Sequence, residues 1–155
     1  MIYVENVFIC IVAPLLITMI CTDKRGRSNL IFFIAGMATC LLSAYVNTFF
    51  ARFYDASIIQ ATVELAPVIE ETMKILPLLF FLLVYEPEQW EVRSAIIFVA
   101  AGFATFENTC YLIGNGTSQL WFLIMRGFGT GTMHIVCGAI VGYGILYVWK
   151  RPWLK

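Results

Sequence analysis

The side chains best suited to chemistry in this sequence lie inside stretches that are otherwise apolar. Glu70, Glu71 and Lys74 share one apolar run, Glu107 lies in a second, and His134, the only histidine, lies in a third. Carboxylate, ammonium and imidazole groups move protons and activate water in general acid–base catalysis. The composition of this set therefore indicates hydrolysis or proton transfer.

The spacing of the first group allows two interpretations. On a helix, Glu70 and Glu71 stand four and three residues before Lys74, so either carboxylate can meet the ammonium group. In the first interpretation, the residues form an ion pair whose charges simply neutralise each other, which accounts for Lys74 and a single glutamate. In the second, the other carboxylate has no counter-charge and is available as a general base.

The composition places these groups in a membrane. The chain has 155 residues, of which 61% are hydrophobic and 13% charged, with a mean hydropathy of +0.84. Soluble domains are about a quarter charged. The formal net charge is zero, so we expect no nucleic-acid partner. We predict an all-α, polytopic transmembrane bundle that forms a single domain over residues 1–155.

Apolar runs of about 20 residues are typical of membrane-spanning helices. They predict five spans, the third interrupted by Pro67 and Pro77, at about residues 3–21, 29–50, 57–85, 94–113 and 119–149. Glycines at positions 127, 129 and 131 could break the last run, which would give six spans. Positions 127, 131, 138 and 142 also approach the four-residue glycine spacing that brings helix backbones close together.

Basic residues near the span ends predict the orientation, because they favour the cytoplasmic side. Five spans place the first loop and the C-terminal tail on the same side, which we expect to be cytoplasmic, with the N-terminus outside. The basic residues concerned are Lys24, Arg25, Arg27, Lys150, Arg151 and Lys155.

The three polar groups are predicted to lie at one depth. With a helical rise of ~1.5 Å per residue, Glu70 lies ~22 Å, Glu107 ~20 Å and His134 ~22 Å from the presumed cytoplasmic span ends. Charged groups near the bilayer centre are costly and mark functional sites. We therefore expect the three helices to present these side chains to one polar cavity.

Three motifs on successive helices resemble those of a known family. Residues 70–74 fit EExxK, residues 103–108 fit FxxxEN and residues 134–138 fit HxxxG. In this order they resemble the PrsW family of intramembrane proteases, which is related to the CAAX prenyl proteases and to bacteriocin-processing membrane proteins. The motif-bearing core covers about residues 57–149.

The resemblance implies hydrolysis of a peptide bond in a membrane-anchored protein, within or beside a bacterial plasma membrane. Substrates of bacterial relatives include membrane-anchored anti-sigma factors. The resemblance assigns the activation of water to Glu70 or Glu71, a second water contact or proton shuttle to Glu107, and a polar catalytic role to His134. The supporting residues are Phe103, Asn108, Lys74, Arg126 and Gly138.

We expect a glutamic-type enzyme without a cofactor. The alternative is zinc, held by Glu71, Glu107 and His134, with Cys110 and Cys137 on the same helical faces as possible additional ligands. Catalytic zinc often takes two or more histidines, and this chain has one. The CAAX enzymes carry His where this chain has Glu107, and Asn where it has Gly138, so their oxyanion-binding pair cannot be transferred whole.

Two other classes of protein fit the buried charges. A proton-coupled transporter would place Glu, Lys and His at mid-membrane, but the sequence shows no inverted repeat. A non-catalytic relative would keep the fold without the chemistry, whereas all three motifs are intact here.

Overall fold

A computed structural model describes residues 24–115 and 120–149, and all regular secondary structure in these residues is helical. The first predicted span, residues 3–21, and the basic tail lie outside the described residues. The elements in chain order are α1 (Lys24–Phe53), α2 (Ile58–Gln60), a π-helix (Ala61–Leu65), α3 (Ala66–Tyr85), α4 (Gln89–Asn115) and α5 (Leu120–Trp149).

The described helices have the length and surface of membrane spans. Three segments are long and apolar enough to cross a bilayer: Gly26–Phe53, Gln89–Gly114 and Ile124–Trp149. Large apolar side chains such as Ile58, at 86% exposure, and Phe128, at 76%, cover the outer faces. Such a surface suits lipid rather than water. The protein is an integral membrane protein, and the count of five or six spans stays a prediction.

The prolines of the third predicted span do not divide α3. Pro67 follows a π-helix, in which the Ala66 N–H bonds to the Ala61 carbonyl five residues back. A proline ring clashes with the carbonyl four residues earlier, and the wider π turn relieves this clash. Likewise α5 runs unbroken through its glycines. The connection between the third and fourth predicted spans, residues 86–93, is shorter than those spans imply, because α4 begins at Gln89.

Helices α1 and α4 pack backbone to backbone. The Ser94 hydroxyl donates to Asn29 Oδ1 at 2.9 Å near their first turns, and farther along Gly36 faces Val99 and Gly102 faces Phe33. The two helices therefore run parallel. A Cβ atom added at Gly36 or Gly102 would lie 2.0 Å from a backbone carbonyl oxygen of the other helix. Only glycine permits this approach.

Helix α4 is the centre of the bundle, and α1, α3 and α5 all pack against it. One buried cluster joins all four helices through Phe32, Leu78, Leu82, Val92, Ala95, Ile96, Val99 and Leu146. A second joins α1 and α4 through Met37, Cys40, Phe103 and Phe106. This packing fixes the faces of α3, α4 and α5 that carry the polar residues.

The glycine contacts generate a stability prediction. Gly36→Ala and Gly102→Ala should each destabilise the protein by ~1–3 kcal/mol, because the new methyl group collides with a backbone that cannot move alone. The measurement is the thermal unfolding midpoint in detergent. Gly144→Ala on α5 is the matched control, since its Cβ meets no described atom within 4 Å. If neither Gly36→Ala nor Gly102→Ala changes the midpoint, the close packing of α1 against α4 is contradicted.

Candidate active site

Lys74 is the cation at the centre of the polar cluster. Its side chain is 4% exposed, and its ammonium nitrogen lies 2.6 Å from Glu71 Oε1, one turn earlier on α3. The same nitrogen lies 4.4 Å from the centre of the Phe103 ring on α4, a distance at which a cation and an aromatic face attract. Lys74 thus connects EExxK with the phenylalanine of FxxxEN.

His134 joins this lysine to Glu107. The imidazole is 2% exposed, its Nδ1 lies 2.8 Å from Lys74 Nζ, and its Nε2 lies 2.5 Å from Glu107 Oε2. The Phe103 ring packs beside it, with 5.1 Å between ring centres. The three predicted clusters therefore touch one another.

Arg126 extends the network along α5. Its Nη2 lies 3.2 Å from Glu107 Oε1, and its guanidinium group stacks 3.5 Å from the ring centre of Tyr111. Thr130 Oγ1 lies 2.9 Å from Asn108 Oδ1 and 2.6 Å from the Arg126 carbonyl. Both carboxylate oxygens of Glu107 are consequently engaged, one by His134 and one by Arg126.

The two glutamates of EExxK differ in their surroundings. Glu71 gives Oε1 to Lys74, whereas its Oε2 is buried and finds no hydrogen-bond partner among the described residues. Glu70 makes no hydrogen bond or ion pair to another described residue. Lys74 thus holds the carboxylate of Glu71 in place and leaves one of its oxygens free.

Gly138, one turn after His134 in the HxxxG motif, faces a neighbouring helix and not an open space. It is buried against α4, where an added Cβ would lie 3.1 Å from the Ala100 Cβ. Gly142 is similarly close to Ile96, whereas Gly127 and Gly131 face no described atom within 4 Å. The predicted close approach of α5 to its neighbour therefore holds for the second half of the glycine series only.

Two cavities adjoin the cluster. The smaller is about 10 Å³ and is lined by Glu71, Lys74, Ile75, Leu78, Ile96, Val99, Ala100, Gly138, Val141 and Gly142. The larger is an open cleft of about 220 Å³ on the Arg126 side, lined by Asn108, Thr109, Tyr111, Leu112, Arg126 and Gly127. The first is close to the size of one water molecule, and the second is large enough for a small side chain or a length of backbone.

The fold and this cluster define an integral membrane protein with a group of charged and polar side chains buried between three of its helices. The sequence matches the PrsW family of intramembrane metalloproteases over residues 25–155. The chain belongs to this family, which confirms the resemblance drawn from its three motifs and makes proteolysis the activity to be explained. No solved structure matches the chain.

The family description implies a metal, and the donor groups do not fit one as they are arranged. Two ligands of a tetrahedral zinc ion lie about 3.4 Å apart, because each lies about 2.1 Å from the metal. His134 Nε2 and Glu107 Oε2 are only 2.5 Å apart, and an ammonium group lies against Nδ1. Within residues 24–115 and 120–149, no three His, Cys, Asp or Glu side chains form a metal-binding group.

Two polar contacts of the site were not predicted. Thr130 and Tyr111 contact the cluster, and both follow from helical spacing: Thr130 lies midway between Arg126 and His134, and Tyr111 lies one turn after Glu107. Residues four apart share a helix face. The signal was therefore in the sequence, but threonine and tyrosine inside an apolar helix are common without any function.

The Arg126–Glu107 pair predicts a measurable coupling. Arg126→Met should lower stability by ~1–2 kcal/mol, because Glu107 loses a partner in a partly buried position. Glu107→Gln in the same chain should restore part of this loss. A double-mutant cycle of unfolding midpoints in detergent measures the coupling, expected at about 1 kcal/mol. Strictly additive effects would show that the two side chains do not interact.

Proposed function

We propose that this protein hydrolyses a peptide bond in a membrane-anchored protein, using a water molecule activated by Glu71. The observation that carries the proposal is the environment of that carboxylate. Lys74 fixes Oε1 at 2.6 Å, while Oε2 is buried without a partner. A general base needs an oriented oxygen that is free to accept a proton.

The other two glutamates are less suited to this step. Both oxygens of Glu107 already accept hydrogen bonds, from His134 and Arg126. No described side chain orients the carboxylate of Glu70. We assign Glu107 to the network that positions His134, and Glu70 to a supporting position as a second proton acceptor.

In the proposed reaction, Glu71 takes a proton from water while the water oxygen bonds to the carbonyl carbon of the substrate. The carbonyl oxygen becomes an oxyanion in a tetrahedral intermediate. The carbon–nitrogen bond then breaks, and the departing amine takes up the proton that Glu71 had accepted. Two products result, a carboxylic acid and an amine, and Glu71 returns to its starting state.

The oxyanion requires donors that are already in position. Asn108 is suitable, because its amide carries two N–H donors and the Thr130 hydroxyl, which also contacts the Arg126 carbonyl, holds the amide in place. Asn108 also lines the 220 Å³ cleft together with Arg126. We propose that the substrate backbone enters this cleft, with Asn108 as the oxyanion donor and Arg126 beside it.

We propose a substrate with a single membrane span, similar to the anti-sigma factors cleaved by bacterial relatives. The cluster lies within helices that face lipid on their outer sides, so a substrate already in the bilayer reaches it by lateral movement. The proposed location is a bacterial plasma membrane, with the basic first loop in the cytoplasm.

The base assignment predicts an ordered series of activities. Glu71→Gln should lower the rate of cleavage of a single-span substrate in liposomes by about 10²–10⁴-fold, because the amide cannot accept the proton. Glu70→Gln should reduce the rate less. Glu64→Gln is the matched control, an exposed glutamate on the π-helix just before α3, and should cleave like wild type.

The outcome that contradicts the assignment is wild-type turnover by Glu71→Gln. If Glu70→Gln abolishes cleavage and Glu71→Gln does not, Glu70 is the general base instead of Glu71. Cleavage by no form of the protein, across a panel of substrates, would favour the non-catalytic or transporter alternatives.

Metal removal gives a separate prediction. The mechanism proceeds through Glu71 and water, so treatment with a strong chelator should leave the cleavage rate unchanged. Metal analysis of the same sample should find less than one equivalent of zinc per chain. A rate that disappears with chelator and returns with zinc alone would replace the glutamic mechanism by a metal-dependent one.

A further inference from the structure

Each nitrogen of the His134 ring lies within hydrogen-bond distance of a neighbouring side chain. Nδ1 lies 2.8 Å from Lys74 Nζ and Nε2 lies 2.5 Å from Glu107 Oε2. An ammonium group has three donors and no acceptor, and a carboxylate has acceptors only. Nδ1 must therefore accept from Lys74, and Nε2 must carry the proton that is donated to Glu107.

We propose that Lys74 is a positioning residue, which holds His134 in the tautomer with an unprotonated Nδ1 and a protonated Nε2 directed at Glu107. The imidazole rests between an ammonium group on α3 and a carboxylate on α4. Its orientation and tautomer thus depend on a side chain sixty residues away in the sequence.

The surroundings of Lys74 explain why it can hold this position. Its ammonium group meets Glu71 Oε1 on one side, the Phe103 ring on another and His134 Nδ1 on a third. These partners come from three different helices. The three contacts offset the rotamer entropy that a lysine loses when it is ordered, and they fix the position of the ammonium group beside the imidazole.

The same contacts account for the poor fit to a metal. A histidine binds zinc through a nitrogen lone pair. Here the lone pair of Nδ1 faces an ammonium group and Nε2 bears a proton, so a cation would have to displace Lys74 or separate His134 from Glu107. Lys74, the lysine of EExxK, thus occupies the position beside Nδ1 at which His134 could otherwise bind a metal.

The inference rests on the proposed function only for its catalytic consequence, since the tautomer is a property of the resting protein. Because the chain has one histidine, imidazole-labelled protein gives a single pair of ring nitrogen-15 signals. In wild type we expect one unprotonated nitrogen, assigned to Nδ1, and one protonated nitrogen, assigned to Nε2. Addition of zinc alone should leave both signals in place.

Two variants separate positioning from charge. Lys74→Met removes the donor to Nδ1 with little change in volume, so the Nδ1 signal should shift. Glu107 still accepts from Nε2 in this variant, so the Nε2 signal should stay that of a protonated nitrogen. Arg126→Met removes one positive charge from the same cluster without touching the ring, and Nδ1 should stay unprotonated. Cleavage by Lys74→Met should fall by at least about 10²-fold, as expected when a histidine loses the group that sets its tautomer.

A protonated Nδ1 in wild type overturns the inference, as does a zinc-induced shift of either signal. Identical spectra for wild type and Lys74→Met also overturn it. If Lys74→Met does not fold, the wild-type spectrum alone decides. If the protein shows the expected tautomer but cleaves no substrate, the inference about Lys74 holds and the proposed function is wrong. The two proposals can therefore be contradicted independently.

Discussion

The constraint on which the structure depends is that charges inside a membrane must find partners inside the protein. Lipid offers no hydrogen bonds, and an isolated charge near the bilayer centre costs about 3 kcal/mol or more. Glu71, Lys74, His134, Glu107 and Arg126 meet this constraint as one chain of contacts across α3, α4 and α5. With Glu71 and Glu107 ionised and His134 neutral, the charges of these five groups cancel. The chain of contacts therefore holds the three helices together and gathers carboxylate, ammonium, imidazole and guanidinium groups in one place.

The apolar packing decides which faces of the helices meet. Gly36 and Gly102 allow α1 to lie against α4 at backbone distance, and the buried clusters around them fix the rotation of α4. That rotation turns Phe103, Glu107 and Tyr111 toward α3 and α5. A helix with its functional face set by close packing positions a site better than a loop does. The polar cluster is thus built on elements that have little freedom to move.

The two sides of the cluster differ in their hydrogen bonding and in the cavities beside them. On the α3 side, Glu71 keeps one oxygen unpaired, and the residue lines a cavity about the size of a water molecule. On the opposite side, Asn108 and Arg126 border an open cleft. His134 lies between the two, fully paired. In the proposed function, Glu71 is the proton acceptor and Asn108 the oxyanion donor.

The sequence by itself determined the membrane setting, the helical class and the residues of the cluster. Spans of apolar residues impose helices, and charges that lipid would reject stand out against them. Equal depths along the helices even predicted that Glu70, Glu107 and His134 would meet, and Glu107 and His134 do so. What only the tertiary structure decided is the pairing. Glu70 and Glu71 are both within reach of Lys74 on the helix, and spacing cannot choose between them. The choice depends on where α4 and α5 place Phe103 and His134, because these residues fix the direction in which Lys74 points. The contact of Gly138 with Ala100 was likewise decided by the tertiary structure, since Ala100 lies on another helix.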